Sequence, residues 1–149
     1  MPTSRTETEA GFTLLELLVV LVILALSATA VMSIGQSSLE SARARSFLVE
    51  AEALFRDART QAIETRSPTA VTIDVKARRL SLAGGRSLVM PGGLSLDARI
   101  AVPKDGGLPA VRFFPSGAST GGELAFGFRG RTYDLRINWL TGRADVQAL

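Results

Sequence analysis

The chain has 149 residues, 46% of them apolar, with 17 Lys and Arg against 14 Asp and Glu and a formal charge of +3. This is one domain's worth of residues, too apolar for a disordered chain and too weakly basic to demand an anionic partner. With no His and no Cys, Ser-His-Asp and Cys-His nucleophiles, imidazole or thiolate zinc sites and disulfides are excluded.

Residues 1–11 are polar and lack apolar periodicity. From Phe12 to Met32 there are 21 residues with one charge, Glu16; as a helix they are about 31 Å long, the thickness of a bilayer core. Small residues follow at Ala25, Ser27, Ala28 and Ala30. Gly35 is the only Gly between Gly11 and Gly84, and no Pro falls between Pro2 and Pro68, so nothing breaks the helix at the membrane edge. Beyond Gly35 the pattern becomes amphipathic. Leu39, Ala42, Phe47, Ala51, Leu54, Phe55, Ala58 and Ala62 fall mostly on one stripe, with Glu40, Arg43, Glu50, Arg56, Arg59 and Glu64 off it. One helix is predicted from Phe12 to Thr65: a spanning half over 12–34, then an amphipathic half over 35–66, stopped by Pro68.

After Pro68 the period becomes two. Val71, Ile73 and Val75 alternate with polar residues, the chain turns over Lys76–Arg79, and Leu80 and Leu82 follow. Short strands are expected at 94–96, 99–102 and 110–114, with a loop over Pro103–Pro109. Leu124, Phe126 and Phe128, then Tyr133, Leu135, Ile137 and Trp139, form a hairpin around Gly130, and a last strand covers 144–148. The fold class is α+β: one long N-terminal helix packed on a C-terminal antiparallel β domain over 67–149. Phe113, Phe114, Phe126, Phe128 and Trp139 are assigned to its core.

The carboxylates Asp57, Asp74, Asp97, Asp105, Glu123, Asp134 and Asp145 stand singly, without acid–base or metal-ligand spacing. No catalytic residue, cofactor or metal is expected, and the protein is not expected to be an enzyme. Gly117 and Gly122 have phosphate-loop spacing, but Glu123 stands where the Lys belongs and strands are expected to follow. Arg129, Arg131, Arg136 and Arg143 gather in the last hairpin with Asp134 and Asp145 among them, which reads as a mixed-charge surface rather than a nucleic-acid patch.

The apolar block admits three readings. Leu17–Leu26 followed by Ala28-Thr29-Ala30 has the outline of a secretory signal, and a plain anchor explains the length. Neither explains Glu16, which costs about 2.5–3.5 kcal/mol near a membrane's centre and less towards its edge. The string Gly11-Phe12-Thr13-Leu14-Leu15-Glu16-Leu17-Leu18-Val19-Val20 resembles the class III signal of type IV pilins and type II secretion pseudopilins. The resemblance implies a leader over 1–11, cleavage by the prepilin peptidase between Gly11 and Phe12, N-methylation of Phe12, and a role for Glu16 in subunit assembly. On that resemblance, a carboxylate there is expected to answer the ammonium created on a neighbouring copy's Phe12, since a charge among packed apolar helices is costly unless paired.

Val111–Leu124, with Phe113-Phe114-Pro115-Ser116-Gly117 and Gly121-Gly122, resembles the Phe-x-Pro-x-Gly…Gly-Gly stretch of GspH-type pseudopilins, and Asn138-Trp139-Leu140-Thr141-Gly142-Arg143 resembles their closing hairpin. The resemblance implies a pilin-like fold and a minor pseudopilin at or near the tip of the periplasmic pseudopilus that drives exoprotein export. The implied partners are other major and minor pseudopilins, the prepilin peptidase, the inner-membrane secretion platform and exoprotein cargo. The implied location is the bacterial inner membrane, single-pass, with the C-terminal domain in the periplasm. The alternative is a minor pilin of a type IV pilus, with DNA binding during uptake.

Overall fold

The computed structural model describes residues 13–100 and 107–148, except for the side chains of 28–37 and 148. The chain divides into two compact units, Met1–Ser38 and Leu39–Leu149. Helix α1 (Leu14–Glu64) contributes to both. It ends where Arg66 takes a left-handed conformation, φ 51°, just before Pro68, which disfavours a preceding helical turn.

In the second unit eight strands follow among the described residues: β1 (Thr69–Asp74), β2 (Arg79–Leu82), β3 (Ser87–Val89), β4 (Ser95–Arg99), β5 (Ala110–Phe113), β6 (Gly122–Phe128), β7 (Arg131–Ile137) and β8 (Ala144–Ala148). They form two four-stranded antiparallel sheets, ordered β3-β2-β1-β5 and β4-β6-β7-β8. Register follows the alternation of apolar residues. Val71 lies opposite Leu82 and Val111, and Leu135 lies between Leu124 and Val146.

The helix holds the sheets together. Ala44, Phe47, Leu48, Ala51, Leu54, Phe55, Ala58 and Ala62 are buried on one stripe, sharing a core with residues of both sheets. Phe47 meets Phe126 of β6 edge-on at 5.7 Å, and Phe55 meets Phe113 of β5 at 6.4 Å, geometries that favour the ring quadrupoles. Ala44, Ala51 and Ala58 recur every seven residues and leave the backbone room to approach the sheets.

Several expectations are corrected. The buried stripe starts at Ala44; Leu39 and Ala42 are exposed. Val75 is exposed too, because Asp74 Oδ1 accepts the Ala77 N–H at 2.7 Å and turns the chain after β1. The segments expected at 94–96 and 99–102 are one strand, β4, as far as they are described; 101–106 lie outside the described residues. β3 was not expected: it is three residues long and buries only Leu88, too short to show a period. Trp139 and Phe114 are not core. β7 stops at Ile137, so Trp139 falls in a turn, 66% exposed, and Phe114 follows the buried Phe113 onto the opposite face.

Candidate functional site

In the first unit every large apolar side chain from Leu14 to Leu26 is exposed, all the way round the helix. Such a surface is stable only against lipid or other helices. Ser27 hides its hydroxyl by donating to the Ile23 carbonyl at 2.8 Å. Among the described residues no helix is long and apolar enough to cross a membrane; of the span expected over 12–34, Phe12 and the side chains of 28–34 lie outside the described residues. Gly11 and Phe12, the assigned cleavage pair, lie outside them as well.

Glu16 is described. It is exposed and stands in the first turn of α1. Thr13 precedes the helix, and its Oγ1 accepts the Glu16 N–H at 3.2 Å. Thr13-x-x-Glu16 is thus a helix-start pattern, a role for Glu16 in addition to its charge in an apolar block. An acid in the first turn also gains about 0.3–1 kcal/mol from the helix dipole. No basic side chain pairs with Glu16 among the described residues, so its carboxylate remains available to a group from another molecule.

In the second unit the two motifs at the end of the chain meet. Asn138 organises the turn after β7: its Oδ1 accepts the Leu140 and Thr141 N–H groups at 2.9 and 3.0 Å, and its carbonyl accepts the Gly142 N–H at 2.8 Å. Ser119 then ties this turn to the Gly-rich loop. Its N–H donates to the Trp139 carbonyl at 2.8 Å and its hydroxyl to the Asn138 carbonyl at 3.1 Å. From the helix, half-buried Arg59 donates through Nε to the Thr141 and Gly117 carbonyls at 2.8 and 3.2 Å. Arg59 lies off the apolar stripe in the sequence, yet it directly follows the buried Ala58, and nothing local marks its two distant carbonyl partners. Gly142 is required: its φ is +61°, and an added Cβ would run into the Gly117 carbonyl.

This arrangement accounts for Gly142 by the approach of one backbone to another. Gly122 opens β6, so no helix N-terminus faces a phosphate. The C-terminal arginines do not form a basic strip. Arg129 pairs with Glu40 at 2.9 Å, and Arg136 with Glu123 at 2.9 Å and Asp134 at 3.6 Å, leaving Arg131 and Arg143 without an acidic partner among the described residues. No group of three metal-ligating residues occurs among the described residues.

Residues 8–32 match the prokaryotic N-terminal methylation motif, and residues 50–142 match the type II transport protein GspH family. The chain belongs to the GspH family of type II transport proteins. A GspH relative, the type II secretion system protein H of Xanthomonas campestris, is 31% identical over 136 residues, covering 89% of this chain and 79% of that protein. The fold is similar to that of the minor pseudopilin EpsH from the type 2 secretion system of Vibrio cholerae, with a TM-score of 0.55 at 18% identity over 72% of this chain and 96% of the other. It is equally similar to the type IV minor pilin FimU of Pseudomonas aeruginosa, with a TM-score of 0.56 at 16% identity over 74% and 95% of the two chains. GspH-family and type IV minor pilins thus share this architecture, and it is the family match and the Xanthomonas relative that favour the secretion side.

Proposed function

We propose that this minor pseudopilin of a type II secretion system works as a structural subunit at or near the tip of the pseudopilus and performs no chemistry of its own. It is membrane-anchored and exported, and it associates with other pseudopilins of its system. In this reading the prepilin peptidase cuts between Gly11 and Phe12 on the cytoplasmic side, Phe12 is N-methylated, and the chain stays in the inner membrane as a single span with its β domain in the periplasm. Glu16 then meets the Phe12 ammonium of the adjoining subunit, which sets a stagger between apolar helices, and Ala25–Ala30 permit their close approach. The inner-membrane platform and exported proteins are the further partners. The observation that carries the reading is the helix over Leu14–Leu26: apolar on every side, exposed, and charged only at Glu16. Gly11→Val tests it. The variant should accumulate as a full-length precursor on a denaturing gel, and unchanged processing would contradict the assigned cut.

A further inference from the structure

Trp139 and Leu140 are 66% and 64% exposed at the tip of one turn. Water normally drives such side chains inward, and here they are held out. Asn138, Ser119 and Arg59 all hydrogen-bond the backbone around them, so presenting them to a partner costs little backbone ordering entropy. Exposed Ile63 and Phe114 belong to the same end of the unit: Ile63 borders Gly117, and Phe114 exchanges backbone hydrogen bonds with Gly117 and Ala118. Arg143 adjoins the turn, and Arg112 is bonded through its backbone to Thr120 beside it. Neither guanidinium has an acidic partner among the described residues.

We propose that the Trp139–Leu140 turn is a docking knob that enters an apolar, acid-rimmed socket on the globular domain of a neighbouring, different pseudopilin. The inference rests on the assembly role proposed above. Other occupants fit less well. Arg59, which braces the turn, is about 30 Å along the helix from Leu39, where the unit begins, so the knob is remote from the end of the unit that continues into the apolar segment. A second copy paired face to face would set Arg112 and Arg143 against themselves, because a two-fold interface repeats the same patch. Varied passengers are better served by flexible surfaces that repack, whereas this turn is braced. A Trp carried on a braced turn, with Arg143 four residues further on, suits one constant partner, and these residue types dominate binding hot spots.

Trp139 is the only Trp in the chain, which provides a specific test. The protein extracted from its own membranes, labelled with 5-fluorotryptophan and held in detergent micelles, gives one fluorine resonance. Unlabelled pseudopilins of the same system, extracted in the same detergent, should shift that line and shield it from a water-soluble gadolinium chelate. Trp139→Ala and Leu140→Ser should each weaken capture by those pseudopilins about tenfold or more, with the thermal midpoint little changed. A line unmoved by the pseudopilins overturns the proposal. So does a shift produced by the protein alone at rising concentration, by lipid vesicles, or only by the exported protein. The N-terminal mass of the same preparation separates the two claims: methylated Phe12 with an unmoved line removes the knob alone, whereas a different N-terminus removes the underlying assembly role.

Discussion

At Gly142 the backbone adopts φ +61° and lies against the Gly117 carbonyl. Gly142→Ala should therefore lose about 1–3 kcal/mol and lower the thermal midpoint by several degrees in a circular dichroism melt; an unchanged midpoint would show that the turn tolerates a side chain. Glu16 has two roles to separate. Its place beside Thr13 helps start the helix, and its free carboxylate suits a neighbouring ammonium. Thr13→Val removes the capping oxygen and keeps the charge, whereas Glu16→Leu removes the charge. If pairing between subunits matters, Glu16→Leu should insert into the membrane normally yet reduce incorporation into the fibre and secretion, and Thr13→Val should affect both far less. Full secretion by Glu16→Leu would eliminate the pairing role. Glu16 stood out in the sequence because a lone acid in an apolar block is conspicuous. Arg59 did not, because its importance lies in two carbonyls more than fifty residues away along the chain.

The elements were legible where a period ran long enough. The stripe from Phe47 to Ala62 and the alternation through β6 and β7 are visible in the sequence, and each matches a buried face. Legibility failed where a local hydrogen bond ended an element early. Asp74 turned the chain before Val75, and Asn138 did so before Trp139, so that a residue continuing the alternation was left outside. The division of the strands into two sheets has no local signature either; it depends on one helical stripe serving both, through Phe47 on one and Phe55 on the other. Arg59 joins the helix to both motif loops, so Arg59→Ala should strip two carbonyls of their donor and cost about 1–2 kcal/mol, read as a lower denaturation midpoint. By contrast, the pair between Arg129 and Glu40 is about half exposed on each side, a setting in which ion pairs contribute only about 0–1 kcal/mol. A destabilisation by Arg129→Ala as large as that by Arg59→Ala would contradict this ranking.

Taken whole, the protein combines a unit that satisfies its own core with an apolar helix that does not. The described residues of the second unit bury their stripe and sheet faces among themselves, whereas Leu14–Leu26 present apolar side chains on every side. A chain of this kind is completed by its surroundings: first a bilayer, then other subunits. In the proposed account, trimming of the leader would connect the two states, because it would create the positive end that Glu16 answers. Mass spectrometry of the N-terminus of the protein recovered from assembled membranes tests this most directly. The account predicts a chain beginning at Phe12 with a methylated amine; a chain beginning at Val31, or an intact leader in the assembled protein, would contradict it.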